Sequence, residues 1–318
     1  MTSGTAATTV AAVQMRAVPH DVAGNLDKAL GFLEEASSRG ARLTLFPELF
    51  NTGYFIGREL FELWETDDGR TVTWMREQAA RRDMLVGGSI PERWGERLLN
   101  TLFIAEPDGR LHRYAKRQPV GLELAAFDHG DDEAIAETSL GRIGRAVCAD
   151  LSWGRTLLRP LAGNVDLLLF SQASFNPKPL GRLMWRQERK RGRPFFGGAA
   201  KAIGAPMVLA GLVGPIQRVT RVFGAYLCGG TWITSAEGGA LANVPFGDEG
   251  VAVAAVSIGS TGGDPSSKVF RDPGFGRDLL DSWLVVVPTD VVYKSSHRRL
   301  ASEGGVGPAL IIELDPVG

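Results

Sequence analysis

Short apolar runs alternate with longer segments of helical period along the chain. Over residues 22–38 a leucine recurs every three or four positions, which predicts an amphipathic helix. Two further helices are predicted over residues 71–82 and 182–202, and the second of these is interrupted at 192–194, where Gly and Pro occur.

Strands are predicted where β-branched and apolar residues form short continuous runs. These runs cover residues 8–15, 42–46, 84–87, 99–106, 143–148, 165–170, 207–212, 230–235 and 251–257. Helices and strands alternate early in the chain, whereas several strands follow one another later. The pattern therefore predicts an α/β layered domain in which helices cover a parallel or mixed sheet.

Residues 259–267 form the best candidate for a domain break because they are rich in Gly and Ser and include an Asp-Pro pair. This break predicts one domain over residues 1–260 and a C-terminal extension over residues 261–318. The runs 283–287 and 309–313 predict two strands in the extension. The extension is too short to bury a core of its own, so we expect it to pack on the body or on another subunit.

The composition is that of an ordinary globular protein, with 44% hydrophobic and 22% charged residues among 318. The net charge of −1 argues against binding to nucleic acid or a membrane surface, since both need a cationic excess. The first residues lack the features of a signal peptide, and the longest apolar run, 205–215, is about half as long as a membrane helix, so we expect a cytoplasmic protein. Two cysteines and four scattered histidines give no disulfide framework and no zinc motif, so no metal or cofactor is expected.

Three side chains with useful chemistry follow or end predicted strands: Glu48, Lys116 and Cys148. Each alone has an ordinary interpretation, as an exposed loop carboxylate, a solvated ammonium or a small buried thiol. Together they could act on a carbonyl group. A carboxylate can take the proton of a thiol, and an ammonium can stabilise the oxyanion that forms when sulfur attacks carbon.

The ordered set of Glu48, Lys116 and Cys148 resembles the Glu–Lys–Cys triad of the nitrilase, or carbon–nitrogen hydrolase, superfamily. The surrounding motifs are similar as well. They are Phe46-Pro-Glu48 with Gly53-Tyr54, then Tyr114-Ala-Lys116, then Gly121-Leu-Glu123 with Phe127 and Gly130, and finally Gly141-Arg-Ile-Gly144 leading into Val147-Cys148-Ala-Asp150. The resemblance covers most of the chain, from about residue 8 to residue 257.

This resemblance implies a role for each triad member. Cys148 would attack the substrate carbon and form a thioester, and Glu48 would act as general base for the thiol and later for water. Lys116 and the backbone N–H of Ala149 would hold the oxyanion. Glu123 would orient the lysine and contact the substrate.

The resemblance also implies a four-layer αββα sandwich of the nitrilase type and pairing of two copies into a homodimer or a larger homo-oligomer. It implies a small-molecule substrate and no cofactor. Tyr54 and Trp153 either line the acyl pocket or belong to the core.

The residues after the nucleophile bear on the substrate. Asp150 favours an amide or carbamoyl group over a nitrile, by its likeness to the amidase and carbamoylase branches. Gly154 and Arg155 stand where amidase-type members carry Pro and Glu. Arg155 and Arg159 would pair with a substrate carboxylate or with structural partners, and the basic run 186–193 would be a solvated helix face or an anion site.

The sequence thus predicts cysteine-dependent hydrolysis of a non-peptide C–N bond. An acyl or amide transferase could use the same thioester with an amine in place of water, and a nitrilase could use the same triad. A non-catalytic scaffold on this fold is the least favoured hypothesis because the triad is complete.

Overall fold

The structure, a computed structural model, describes residues 7–57, 59–120, 123–124, 126–177, 196–216 and 225–272. The strands are β1 (Ala7–Met15), β2 (Leu43–Leu45), β3 (Leu85–Trp94), β4 (Arg97–Ala105), β5 (Leu111–Ala115), β6 (Ile135–Thr138), β7 (Gly141–Val147), β8 (Leu167–Gln172), β9 (Phe175–Pro177), β10 (Met207–Ile216), β11 (Ala225–Cys228), β12 (Trp232–Thr234), β13 (Ala240–Asn243) and β14 (Gly250–Ser257). The helices are α1 (Val22–Ser38), α2 (Leu60–Leu63) and α3 (Arg70–Arg82), followed by the short helical turns Cys148–Ser152, Gly154–Leu158 and Arg159–Leu161. Residues 196–203 are also helical.

The strands form two half-sheets. The first half-sheet has the order β5-β4-β3-β2-β1-β14, and the second has the order β13-β12-β10-β8-β7-β6. They meet where Gln14 and Met15 of β1 pair with Gly211 and Leu212 of β10. Beyond this junction, β11 pairs with the far end of β10 and β9 pairs with β11.

The direction of the strands decides where their ends meet. Parallel pairing links β3 to β2, β2 to β1, β1 to β10, β10 to β8 and β8 to β7. Because β4 is antiparallel to both β3 and β5, β5 also runs in this common direction. The carboxyl ends of β2, β5, β7 and β8 therefore lie at the same edge of the sheet system.

Burial on both faces explains why the central strands β1, β2 and β8 are largely apolar. In β1, Val10 and Ala12 face the core between the half-sheets, while Ala11 and Val13 face the core beneath the helices α1 and α3. Strands that are covered on both faces have sequences that are continuous hydrophobic runs, and not alternating hydrophobic and polar residues. The core between the half-sheets also contains Leu43, Leu45, Leu102, Ile104, Ile143, Leu167, Leu169, Val208 and Ala210.

A second outer core covers the other half-sheet. Leu168 and Phe170 of β8 pack there against the short helical turns and the helical residues 196–203, and neither side chain is more than 1% exposed. The layers are therefore helix, sheet, sheet and helix, which confirms the predicted αββα sandwich.

Helix α1 has the bounds that its leucine spacing predicts. The side chain of Asp21 caps its first turn by accepting a hydrogen bond from the N–H of Gly24 at 2.9 Å. Leu26, Ala29 and Leu33 form the buried stripe that packs on the first half-sheet.

Some elements were not predicted from the sequence. The missing ones are α2, β5, β6, β9, β11, β13 and the three short helical turns within residues 148–161, all of which are five residues or fewer in length. In β5, His112 and Arg113 interrupt the apolar pattern because this strand lies at the edge of the sheet. Short edge strands with polar side chains give little periodic signal.

Other predictions fall on residues that the structure does not describe. Of the predicted helix 182–202, only the part from residue 196 onward is described, and that part is helical. The interruption at 192–194, the basic run 186–193 and the strands 283–287 and 309–313 lie outside the described residues.

The described part of the C-terminal extension, residues 261–272, lies on the body of the protein. The N–H of Asp264 donates to the carbonyl of Ala202 at 2.8 Å, and Phe270 is buried in the outer core of the second half-sheet. The division of the chain after residue 260 stays a prediction.

Gly154 lies directly under this extension. Its N–H donates to the carbonyl of Arg271 at 3.1 Å, and a Cβ at this position would lie 2.6 Å from the nitrogen of Arg271 and 2.7 Å from the Cα of Phe270. The carboxylate of Asp272 accepts hydrogen bonds from the N–H of Thr156 at 3.2 Å and from its hydroxyl at 2.8 Å. A proline at position 154 would lack the N–H and would collide, so this close approach explains why a glycine occurs here.

We expect Gly154→Ala to lower the free energy of unfolding by about 1–3 kcal/mol, because the obstructing atoms belong to the backbone and cannot rotate away. Gly31→Ala is the matched control, since a Cβ there meets nothing within 4 Å in the interior of α1, and it should stabilise by about 0.5–1 kcal/mol. Urea unfolding of the two variants measures whether each substitution lowers or raises the free energy of unfolding. A neutral or stabilising Gly154→Ala would contradict the close packing of the extension on this residue.

Candidate active site

Three candidate residues follow strands that end at the same edge. Glu48 comes after β2, Lys116 directly after β5 and Cys148 directly after β7. The first two belong to the first half-sheet and the third to the second half-sheet. Open α/β sheets build their sites at the carboxyl ends of strands, so this edge is the natural place for a cleft.

The ammonium of Lys116 lies between two carboxylates. Its Nζ donates to Glu48 Oε1 at 2.9 Å and to both Oε1 and Oε2 of Glu123 at 2.7 Å. None of the three side chains is more than 1% exposed. Burial alone would lower the pKa of Lys116, but the charges of Glu123 and Glu48 raise this pKa well above its usual value. The lysine is therefore held in its charged form.

The two oxygens of the Glu48 carboxylate have different surroundings. Oε1 accepts hydrogen bonds from Lys116 and from Nδ2 of Asn100, the latter at 2.8 Å. Oε2 is buried and has no hydrogen-bond partner among the described residues. A carboxylate with one oxygen held and the other free is well placed to accept a proton.

The backbone that carries Glu48 is strained. Leu49 has a φ of +51°, in the left-handed region that non-glycine residues rarely adopt. Its N–H donates to the hydroxyl of Ser89 at 3.0 Å, and the N–H of Phe50 donates to the carbonyl of Ser89 at 3.3 Å. Strain of this kind costs about 1–3 kcal/mol and persists where neighbouring contacts hold it.

Cys148 also occupies a strained position, with a φ of +45°. The sequence predicts it as the last residue of a strand, but β7 ends at Val147 and Cys148 begins a helical turn. A sharp turn from strand to helix exposes a nucleophile at the edge of a sheet in other folds, too. Ala149 follows in the first turn of this helix, where N–H groups have no partner within the helix.

The surroundings of Cys148 keep its thiol protonated. Burial raises its pKa well above the usual value, and the negative charges of Glu48 and Glu123 raise it further. Lys116 and the backbone N–H of Ala173, which follows β8, act in the opposite direction without cancelling this effect. These effects favour the neutral thiol of Cys148, so an attack of this sulfur on carbon would require a base.

Asp150 ties the lysine segment to the nucleophile segment. Its Oδ2 accepts hydrogen bonds from the hydroxyl of Tyr114 and the N–H of Val147, each at 3.0 Å. Its Oδ1 accepts from the N–H of Gln118 at 2.9 Å. These contacts hold the strand ends of β5 and β7 together across the two half-sheets.

The remaining predicted site residues lie in different surroundings. Tyr54 is hydrogen-bonded to Glu123, and burial and that carboxylate raise the pKa of its hydroxyl well above the usual value. Trp153 is partly buried at the end of the helical turn that the cysteine begins. Arg155 and Arg159 are exposed on the outer side of the following turns.

Two polar residues at the site were not predicted from the sequence, Asn100 and Ser89. Asn100 and Thr101 do interrupt the apolar run 99–106, and two adjacent polar residues inside a strand were the signal that could have identified them. Ser89 lies beyond the predicted strand 84–87 because β3 continues to Trp94.

The described residues contain no group of three or more His, Cys, Asp or Glu side chains that could hold a metal ion. No helix in the described ranges is long and apolar enough to cross a membrane.

A family model described as carbon-nitrogen hydrolase matches residues 9–265. The chain belongs to the carbon-nitrogen hydrolase family. This finding confirms the resemblance that the motifs indicate, and the matched range includes Glu48, Lys116, Glu123 and Cys148.

Curated members of the family align with part of this chain. A chloroplastic omega-amidase of Arabidopsis thaliana is 31% identical over 187 residues, which are 53% of this chain and 49% of that protein. Nitrilase 3 of Arabidopsis thaliana is 34% identical over 44% of this chain and 46% of its own length. Omega-amidase NIT2 of Bos taurus is 32% identical over 40% of this chain and 50% of its own length. The chain thus spans about half the length of the curated relatives it matches.

Solved carbon-nitrogen hydrolase structures share the fold. A superfamily protein of Xanthomonas campestris, with an arsenic adduct in its active site, matches at a TM-score of 0.65 and 21% identity, covering 96% of this chain and 99% of that one. A mutant amidase of Nesterenkonia sp. AN1, with the acetamide moiety of fluoroacetamide added covalently at the active-site cysteine, matches at a TM-score of 0.66 and 22% identity, covering 89% and 98%. At these identities the likeness establishes the nitrilase-type sandwich.

We expect Lys116→Met to lower the free energy of unfolding by about 3–5 kcal/mol, because it leaves two buried carboxylates without their cation. The matched control is Lys28→Met. Lys28 also pairs with a carboxylate, that of Glu249 at 3.1 Å, but both side chains are 35% exposed, so its loss should cost less than about 1 kcal/mol. Guanidinium unfolding at neutral pH compares the two, and equal losses would contradict the buried ion pair.

Proposed function

We propose that this carbon-nitrogen hydrolase family member hydrolyses the C–N bond of a small amide or carbamoyl compound through a thioester on Cys148. The observation that carries this proposal is the buried Lys116 ammonium, held by Glu48 and Glu123 within electrostatic range of a neutral thiol. The free Oε2 of Glu48 supplies the base that this thiol needs.

The first step forms a tetrahedral intermediate. Cys148 Sγ bonds to the carbonyl carbon while its proton moves to Glu48 Oε2, and the π electrons of the C=O bond move to oxygen. The N–H of Ala149 and the ammonium of Lys116 stabilise the resulting oxyanion. Because Nζ contacts both oxygens of Glu123, the substrate oxygen can take over one of these contacts without releasing the lysine from either carboxylate.

The second step releases the amine. The C=O bond reforms, the C–N bond breaks, and the leaving nitrogen takes the proton held by Glu48. Ammonia or an amine departs and a thioester on Cys148 remains. One carboxylate suffices as both base and acid because it gives up in this step the proton that it gained in the first.

The third stage regenerates the enzyme. A water molecule attacks the thioester carbon as Glu48 takes one of its protons, and a second oxyanion forms at the same position. When this intermediate collapses, the C–S bond breaks and the sulfur regains its proton from Glu48. The sum of the steps is one amide and one water converted to one acid and one amine.

Three further residues would position the lysine or border the substrate: Glu123, Tyr54 and Trp153. Glu123 holds the lysine and is itself hydrogen-bonded by Tyr54, so these two residues would set the position of the cation and border the substrate. Trp153, close to the nucleophile along the chain, would contribute apolar surface to the acyl pocket. The expected homodimer and the cytoplasmic location stay predictions.

An amide is the first substrate class to test, and a nitrile is the second. Two of the similar proteins named above are omega-amidases, at 31% and 32% identity, and Nitrilase 3 is 34% identical over its aligned segment. The Asp150 resemblance favours the amide or carbamoyl group. A nitrile would enter the same steps with its C≡N carbon as the site of attack and would give a thioimidate first.

The test is a screen for ammonia release from aliphatic amides, aryl amides, N-carbamoyl amino acids and nitriles. We expect turnover of at least one amide or carbamoyl compound, and we expect Cys148→Ala to reduce that turnover by at least about 10³-fold because the covalent step is lost. Cys228→Ala, which removes the other cysteine, should stay within about threefold of the wild type. If Cys148→Ala keeps the wild-type rate, or if the wild type is inactive on the whole panel, the proposed function is wrong.

A further inference from the structure

We propose that Asn100 is a positioning residue that sets the orientation of the Glu48 carboxylate, so that Oε2 is the oxygen presented to the nucleophile. The inference rests on the proposed role of Glu48 as base and adds a residue to the machinery that this role requires. The Asn100 amide is hydrogen-bonded to Glu48 and to Ser89, so its effect on the thiol would pass through Glu48.

Asn100 belongs to a closed ring of hydrogen bonds. Its Nδ2 donates to Glu48 Oε1 at 2.8 Å, and the hydroxyl of Ser89 donates to Asn100 Oδ1 at 2.7 Å. The N–H of Leu49 donates to the oxygen of Ser89 at 3.0 Å, and the peptide bond between Glu48 and Leu49 completes the ring. Glu48, Leu49 and Ser89 are fully buried and Asn100 is 1% exposed.

The ring determines which end of the Asn100 amide faces the carboxylate. Ser89 accepts the N–H of Leu49, and its single hydroxyl hydrogen is directed to Asn100. A hydroxyl hydrogen needs an acceptor, and in a primary amide only the oxygen can accept. The amide nitrogen is therefore the atom that faces Glu48, and a carboxylate can only accept from it.

A second donor is needed because the last side-chain torsion of a glutamate is soft. The ammonium of Lys116 alone would fix the distance from Nζ to Oε1. It would leave the plane of the carboxylate free to rotate about that contact. Asn100 reaches the same oxygen from β4, whereas Lys116 reaches it from the end of β5. With two donors on Oε1, the carboxylate plane is defined and Oε2 keeps its lone pairs free.

The ring also connects the carboxylate to the strained backbone beside it. Leu49 is held at a φ of +51° through the same Ser89 hydroxyl that orients Asn100. Loss of the Asn100 contact would therefore release both the carboxylate of Glu48 and the strained backbone turn that carries it. Misplacement of a catalytic group by about 1 Å can cost about 10²-fold in rate.

The test measures alkylation of Cys148 by iodoacetamide at neutral pH, followed by the mass of the peptide that contains this cysteine. We expect Asn100→Ala to slow alkylation about tenfold, because proton transfer to a misplaced Glu48 contributes less. The same substitution in a Glu48→Gln background should change the rate by less than about twofold, whatever the rate of that background is. An amide in place of the base cannot take the proton, so its orientation no longer matters.

Two variants and an internal reporter separate positioning from loss of fold. Asn100→Leu keeps the branching and the number of side-chain heavy atoms and suits the core between the half-sheets, so it should fold and repeat the result of Asn100→Ala. Thr101→Val alters the neighbouring buried residue, which faces away from the site and bonds to Glu92, and it should leave alkylation of Cys148 within twofold. Cys228, which is buried in the same protein, should stay equally unreactive in all variants.

The inference is wrong if Asn100→Ala and Asn100→Leu alkylate at the wild-type rate, or if Asn100→Ala slows alkylation by the same factor with and without Glu48. The second pattern would mean that Asn100 acts on the fold and not through the base. The assay uses no substrate, so its result does not depend on whether any amide is turned over. Inactivity in the substrate screen would therefore count against the proposed function alone.

Discussion

The site depends on one buried cation that is shared by two carboxylates. Transfer of an ammonium from water into a protein interior costs several kcal/mol unless close and well-directed partners compensate for it. Glu48 and Glu123 provide these partners at 2.9 and 2.7 Å, and Lys116 in turn holds each carboxylate at a defined place. Removal of the lysine would leave two buried carboxylates without a cation, and removal of either carboxylate would leave the lysine with one partner fewer, so each side chain constrains the other two.

The charges of this cluster determine the kind of nucleophile that it can support. Burial raises the pKa of the Cys148 thiol, and one ammonium against two carboxylates leaves an excess of negative charge that raises this pKa further. A cysteine paired with a protonated histidine can rest as a thiolate, but this one rests as a thiol. In the proposed mechanism, Glu48 is therefore needed as a base in every turnover. The oriented oxygen of that carboxylate is as important to the proposed chemistry as the sulfur itself.

The convergence of the candidate residues at one edge of the sheet could be predicted from the sequence in part. Glu48 and Cys148 each come after an apolar run that predicts a strand, and strands that run in one direction bring the residues after them to one edge of a sheet. Lys116 follows β5, which the pattern does not predict because His112 and Arg113 interrupt it. The sequence pattern does not show that β5 runs with β2, since this depends on two successive antiparallel pairings through β4. It also does not show that Cys148 begins a helical turn with a positive φ, because no glycine marks the strain there.

Contacts between distant segments were harder to predict still. Asn100 and Ser89 are ordinary polar residues in sequence, and their importance comes only from the ring that β3 and β4 form around Glu48. In the same way, Gly154 and Arg155 look like departures from the amidase pattern. The structure relates the glycine to the segment around Phe270 and Arg271, which lies more than a hundred residues further along the chain. Periodicity indicates which face of an element is buried. It does not indicate which side chains of other elements contact that face.

The most direct test of the proposed chemistry is to quench the enzyme during turnover of an amide and to measure the mass of the peptide that contains Cys148. The mechanism predicts an acyl group on this sulfur, with the mass of the amide less ammonia, that forms and decays at rates compatible with turnover. The mechanism would be contradicted if the amide is hydrolysed but the acyl group appears on another residue. It would also be contradicted if no acyl group appears on any residue even when hydrolysis of the thioester is slowed.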